Sequence, residues 1–338
     1  MHPPRVDRHA RVSAALAACS DSELSAQLED AGSGTIGAGG SSAVLEVDGA
    51  AVFAKRIPLT DRERDHPGST ANLFDLPLSC QYGLHPLAGP GFGAWRELAA
   101  NRLVTAGVLA GRTEAFALLH HARVLPGRPP IATEHRDIDA VVAQFGGDPA
   151  VRTRFEELAD ATSSLVLFLE HLPDALPQWL QHPRDRSETL ERQLGEITGF
   201  LRRQGLMHMD GHFGNLRADD EQIYLIDLGL AIADSFELTA AERDFVDRHR
   251  GHDADYASMR LVNWLVTTVC EVPTAMDRGP AERNALVRRC ADGDIPADAP
   301  PAIARILARH APAAAAMNDL HWRIVAGETD AQYRGSAG

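Results

Sequence analysis

The sequence predicts an α+β protein, β-rich in its first half and mainly α-helical in its second. Strand-like runs punctuated by glycine cluster between residues 34 and 57. Helical periodicity takes over after a Pro-containing turn at residues 171–177. No apolar run of about 20 residues interrupts either half. The chain of 338 residues is 44% hydrophobic and 24% charged, which fits a soluble globular protein with room for two lobes. Its net charge is -14, with Lys and Arg mixed among Asp and Glu, so general attraction to nucleic acid or to a membrane surface is not expected. An anionic ligand must be held locally. Cys19, Cys80, Cys270 and Cys290 are widely spaced without a C-x-x-C, which suits reduced thiols and a cytoplasmic location.

Residues 1–33 read as an N-terminal helical extension. "LAAC" at 16–19 has the look of a lipoprotein cleavage box, but the apolar stretch before it contains Ser13 and is short for an export signal. "SDSELSAQLED" at 20–30 reads as a capped helix. From residue 34 the order is strand, glycine loop, strand, turn, strand. The runs Ala43 to Val47 and Ala51 to Ile57 flank Asp48-Gly49, a strong hairpin signal. Residues 58–92 are rich in Pro and Gly without a sustained period, which predicts a long loop or insertion facing an acceptor or a partner. "AWRELAANRLVTAGVL" from residue 94 has helical spacing and leaves Glu97 beside its buried stripe. Two strand-like runs follow between 116 and 169, the second being "LVLFLE" at 165–170. The remainder is helical, including a helix opened by a Thr239-x-x-Glu242 capping box.

Chemistry concentrates in "MHMDGHFGNLRADDEQIYLIDLG" at 207–229, which holds His208, Asp210, His212, Asn215 and Asp227. Phosphoryl transfer has a use for the two Asp and the Asn together. One carboxylate orients the attacking hydroxyl and takes its proton, while a second carboxylate and an amide oxygen hold Mg²⁺ against the phosphates. Asp210 and Asn215 stand five apart, and the hairpin "NLRADDEQIYLID" delivers Asp227 at a strand end. A metal-dependent hydrolase using His208, Asp210 and His212 is the competing reading of the same stretch, although it leaves Asn215 and Asp227 unused.

"HMDGHFGN" and "DLG" resemble the H-x-D-x-x-x-x-N and D-x-G signatures of the protein kinase-like superfamily, over roughly residues 34–270. The resemblance implies a bilobal kinase-like fold, with an N-lobe at 34–169 carrying the 58–92 insertion and a C-lobe at 170–338. It implies ATP and Mg²⁺, with Asp210 as catalytic base, Asn215 and Asp227 as metal ligands, and His208 as a packed residue. "GAGGSS" at 37–42 stands where phosphates are cradled, through Gly37, Gly39, Gly40 and Ser41. Lys55 stands where the α and β phosphates are touched, with Glu97 as its ion-pair partner. Adenine falls to the backbone around Glu170 to Leu172. Asp253 or Asp255 is the expected anchor of the catalytic-loop backbone. Departures are specific. Met209 replaces an arginine, and His212 replaces the lysine of Ser/Thr kinases. D-x-H-x-G-N is similar to the loop of aminoglycoside phosphotransferases and quinone-pathway atypical kinases, whereas the glycine of "DLG" is closer to protein kinases. The glycine loop does not match G-x-G-x-x-G in full.

Only nine residues lie between Gly229 and Thr239, with no A-P-E after them, so no phosphorylation-switched loop is expected. The acceptor expected is a hydroxyl, leaning to Ser or Thr of a protein or peptide, with an antibiotic or metabolite alcohol as the alternative. A nucleotide-binding pseudokinase stands further off, because such a module has no need of the base.

Overall fold

The computed structural model describes residues 3–32, 36–37, 40–130, 135–174, 176–219, 221–272 and 280–335. Two helices open the chain, α1 (Pro3–Ala18) and α2 (Asp21–Asp30), the second begun by a capping box in which Ser20 and Glu23 satisfy each other's backbone amides. Strands β1 (Ile36–Gly37), β2 (Gly40–Val47) and β3 (Ala50–Leu59) follow as an antiparallel meander. The turn between β2 and β3 has Asp48 at φ 50° and Gly49 at φ 71°. Two left-handed residues give the hairpin the twist of its strands.

Next come α3 (Asp61–Asp65), a 3-10 turn at Leu78–Gln81 and α4 (Ala94–Leu109). Strand β4 (Leu119–Pro126) is separated from β5 (Ser163–Glu170) by α5 (Ile138–Gln144) and α6 (Pro149–Asp160). The five strands form one antiparallel sheet in the order β1-β2-β3-β5-β4. Nearly every residue of β5 is buried because the sheet is covered on both faces. On one face, Val12, Leu16 and Leu24 of the N-terminal helices meet Leu45, Val52 and Phe168. On the other, Trp95 and Leu98 of α4 meet Ile57, Leu165 and Leu167.

The helical half holds α7 (Leu176–Trp179), α8 (Pro183–Arg203), α9 (Ala240–His249), α10 (His252–Thr268), α11 (Ala281–Ala291) and α12 (Pro301–Val325). Short strands β6 (Leu206–Met207), β7 (Leu216–Ala218), β8 (Ile223–Leu225) and β9 (Ile232–Ala233) pair as β6 with β9 and β7 with β8. Its core includes Phe200, Leu261 and Leu307, and α4 enters it through Ala100, Val104 and Val108. Helix α4 therefore belongs to both halves.

One expectation needs correction: the region between 116 and 169 is not two strands alone, since α5 and α6 stand between them. The first segment, residues 58–92, is mostly non-regular chain apart from the end of β3, α3 and the 3-10 turn, yet it has a core of its own. Phe74, Leu76, Cys80 and Phe92 of the first segment form a separate core with Val141, Phe145, Val151 and Phe155 of α5, α6 and their connection. The first segment looked aperiodic because its apolar residues meet a distant segment instead of forming one face of a helix. No described helix is long and apolar enough to cross a membrane, and the four cysteines carry no disulfide.

Candidate active site

The paired strands β6 and β9 hold the two ends of the segment 208–231 together, and the β7–β8 hairpin crosses inside it. Asp253, on the first turn of α10, anchors the segment's start: its two carboxylate oxygens accept from the His208 amide at 2.7 Å and the Met209 amide at 3.0 Å. Burial would raise the Asp253 pKa, but its bond with His252 and the loop amide keep it below the ordinary carboxylate value. Asp255 is occupied elsewhere, accepting from the Tyr333 hydroxyl at 2.5 Å. His208 is fully buried. Its Nε2 lies 2.9 Å from the Ile226 carbonyl and its Nδ1 accepts from the Asp210 amide at 3.2 Å. With both ring nitrogens engaged, His208 serves the backbone and is not placed as a metal ligand.

Asp210 follows directly. Its Oδ2 accepts from Asn215 Nδ2 at 3.1 Å, and the same amide donates to the Asp210 carbonyl at 2.9 Å. That use of Nδ2 leaves Asn215 Oδ1 as the atom available to a cation. Asp210 Oδ1 is buried and has no hydrogen-bond partner. Burial, then the negative charge of Asp227, pushes the Asp210 pKa up to about 7, with Asn215 opposing. His212 Nε2 stands 3.6 Å from Asp210 Oδ2, and burial keeps its imidazole below its usual pKa.

Lys55 reaches this loop from the middle of β3. Its Nζ lies 2.7 Å from Glu97 Oε1 on α4 and donates to Asp227 Oδ1 at 2.7 Å. Burial alone would lower the Lys55 pKa, but the two carboxylates outweigh it and hold the ammonium above its ordinary value. Asp227 is correspondingly held down, at about 2, where burial is overcome by Lys55. Asp227 is therefore ionised at neutral pH. Among the described residues no three His, Cys, Asp or Glu groups converge on one point. Asp227 and Asn215 can supply part of an octahedral oxygen shell, the remainder coming from phosphate and water, which is how Mg²⁺ is commonly held.

Backbone strain falls in the same place. Met209 (φ 66°) and Asp227 (φ 62°) are two of the five non-glycine residues at positive φ among the described residues. Asp253 holds the first and Lys55 the second.

The glycine segment lies at the free end of the β1–β2 hairpin, where Gly37 pairs with Gly40. Gly39 lies outside the described residues. Gly40 (φ 121°) has no room for a side chain, since a Cβ there would collide with the Arg56 carbonyl. Ser41 pairs with Arg56 at the start of β2. At the other end of the cleft, the Glu170 amide already donates to the Leu118 carbonyl at 2.8 Å. The Glu170 carboxylate turns to α1, accepting from Arg5 at 2.7 Å and from Arg8 at 2.7 Å. Leu172 beyond the strand is half-buried.

Sequence reasoning missed two buried ion pairs. Arg96, beside Glu97, donates to Glu242 Oε1 at 2.6 Å and to the Thr70 carbonyl at 2.7 Å, tying α4 to α9. Arg154 on α6 donates to both oxygens of Glu63, at 2.8 and 3.1 Å. Both glutamates also close capping boxes, Thr239 with Glu242 and Thr60 with Glu63. The T-x-x-E spacing, read in the sequence for Thr239 and Glu242 alone, signals the cap and leaves the ion pair unseen. No protein-family model matches the chain, and comparison with curated proteins finds no match.

Proposed function

We propose that the protein is an ATP- and Mg²⁺-dependent phosphotransferase of the protein kinase-like type, with a bilobal fold and a hydroxyl as acceptor. The observation that carries this reading is Lys55, bonded at once to Glu97 of α4 and to Asp227 of the DLG segment, with Asp210 and Asn215 joined beside it. Three distant segments converge on one cation, and the remaining groups match the needs of phosphoryl transfer.

In this reading Lys55 neutralises the α and β phosphates, and Glu97 fixes the direction of its ammonium. Asp227 and the Asn215 carbonyl oxygen would hold Mg²⁺, which supplies charge neutralisation on the phosphates. The acceptor oxygen forms a bond to the γ-phosphorus as the bond to the β,γ-bridging oxygen breaks. ADP leaves with that electron pair, and the acceptor proton passes to Asp210. A base with pKa near 7 suits this task, because at neutral pH a large fraction is ionised and free to accept the proton, and its raised value makes it a stronger base than an ordinary aspartate. The adenine edge would meet the carbonyl of Glu170 and the backbone of Leu172, while Arg5 and Arg8 brace the Glu170 side chain from behind.

Mg²⁺-dependent ATP turnover by the wild type and by Asp210→Asn tests the proposal, with intact mass recorded for phosphate on the protein. Turnover in the wild type and its loss in the variant support it. Failure of the wild type to bind ATP at all overturns it.

A further inference from the structure

Resting on the phosphotransferase reading, we infer that Arg5 of α1 is a positioning residue for the nucleotide: it fastens the joint between the two halves of the fold and so sets the affinity for Mg-ATP without touching it. Helix α1 covers one face of the sheet, and α4, which carries Glu97, covers the other. Arg5 therefore reaches the joint from the side opposite the Lys55–Glu97 pair.

Three pieces of chain meet there. One is the end of β5, where Glu170 opens the segment assigned to adenine. Another is the connection from α4 to β4, residues 110–118, whose Leu118 is tied to Glu170 in both directions. The Leu118 carbonyl accepts from the Glu170 amide at 2.8 Å, and the Leu118 amide donates to the Glu170 carboxylate at 3.3 Å. The last is β8, which ends two residues before Asp227. Its Leu225 amide donates to the Ala115 carbonyl at 2.9 Å, and Leu225 bridges to Phe116. The connection thus runs between the adenine end of the cleft and the strand that delivers Asp227.

One side chain joins all three. Arg5 Nη1 donates to the Glu114 carbonyl at 2.9 Å and Nη2 to the Phe116 carbonyl. Nε lies 3.0 Å from each oxygen of the Glu170 carboxylate, and Nη2 donates to Oε2 at 2.7 Å. The guanidinium also stands 5.6 Å from the centre of the Tyr224 ring on β8. Such a rigid planar fork can hold several acceptors in one fixed arrangement, which a lysine cannot. Burial would raise the Glu170 pKa, but Arg5 and then Arg8 outweigh it and keep the carboxylate ionised. Arg8 bonds Glu170 alone and is 43% exposed, so it shares the charge without spanning the joint. Apolar attachment of α1 belongs to Val12 and Leu16, two and three turns further along. Helix α1 thus separates holding on, through those residues, from setting geometry, through Arg5. ATP must meet the backbone beyond Glu170 and the groups at Lys55 and Asp227 at once. A loosened joint leaves fewer molecules with that spacing, and the apparent affinity falls by the same fraction.

The test uses the full chain as wild type, Arg5→Ala, Arg5→Lys and Leu16→Ala. Each is measured for the Kd of a non-hydrolysable ATP analogue with Mg²⁺, for KM and kcat of Mg-ATP turnover, and for stability in urea. Arg5→Ala should raise Kd and KM about tenfold and change kcat by less than about twofold. Arg5→Lys, which keeps a charge beside Glu170, should recover part of that affinity. Leu16→Ala opens a cavity in the α1 core away from the joint, and should lower stability with nucleotide affinity unchanged. An Arg5→Ala protein that is less stable yet binds the analogue as tightly as wild type makes Arg5 merely structural and overturns the inference. An equal loss of affinity in Leu16→Ala does the same. Should Arg5→Ala fail to fold, wild-type affinity in Arg5→Lys overturns it. These outcomes leave the phosphotransferase reading standing, whereas a wild type that binds no nucleotide overturns that reading itself.

Discussion

Replacing Asp210 with Asn should abolish turnover and, at the same time, stabilise the fold. The Asp210 carboxyl rises from 3.8 to about 7, chiefly through burial and then through Asp227. That is roughly three units, and at about 1.4 kcal/mol per unit the ionised side chain costs at most about 4 kcal/mol of folding free energy near neutrality. The side chain is 22% exposed, so solvent relieves part of this. The amide of the variant also finds no partner where Oδ1 has none. A gain of about 1–3 kcal/mol is therefore expected. The sign over pH follows from the raised folded-state value. Between about pH 4 and pH 7 the folded carboxyl keeps its proton while the unfolded one loses it, so wild-type stability falls as pH rises through that window and then levels off. Asp210→Asn lacks the titration. Urea unfolding at pH 4.5, 6 and 8, the three conditions spanning that predicted window at about its start, middle and end, should show the variant's advantage opening with pH and then remaining constant. An advantage independent of pH, or a variant less stable than wild type at pH 8, would refute the reasoning.

The same titration should govern activity, with kcat/KM falling about tenfold per pH unit below about pH 7 as Asp210 takes up its proton, measured at saturating Mg²⁺. Lys55→Ala leaves the buried Glu97 and its neighbour Asp227 without their cation; it should cost about 3 kcal/mol in urea unfolding and lower turnover by about 100-fold. Arg96→Met should destabilise by about 3 kcal/mol, because Glu242 stays buried and charged. Adding Glu242→Gln should recover much of that, since glutamine removes the charge and can still close the cap on Thr239. Ser235 is the only hydroxyl residue between 230 and 238, and Ser235→Ala should leave steady-state turnover unchanged. A phosphosite in that segment that raises activity severalfold would contradict the reading of this segment.

What the sequence made legible follows a physical division. The strand–turn–strand order, the helix carrying Glu97 and the spacing of Asp210, Asn215 and Asp227 are set by local chemistry, and each leaves a mark in its own few residues. Gly83 leaves none, because its need for no side chain comes from Asp210 in a remote segment. The helices α5 and α6 were hidden for a related reason: part of their apolar surface is matched by residues 74–92. Glu63 and Glu242 fall between these cases. Local spacing assigns one oxygen of each to a helix cap, while their arginine partners come from far along the chain, Arg96 taking the other oxygen of Glu242 and Arg154 binding both oxygens of Glu63.

The second use of Glu242 explains how the site holds together with so short a segment after Asp227. Lys55 keeps its partner only if α4 stays against the sheet. In a phosphorylation-switched enzyme that position depends on charge added to a loop, which an arginine then reads. Here Met209 stands where that arginine is expected. Arg96 and Glu242 instead form a pair that is almost wholly buried, made by the residue next to Glu97 of the Lys55–Glu97 contact. Breaking it would leave a charge stranded in the core at a cost of about 3–5 kcal/mol, enough to keep the displaced form of α4 below one part in a hundred. The protein is built with α4 held in place by its own buried ion pair, with no added charge needed to position it.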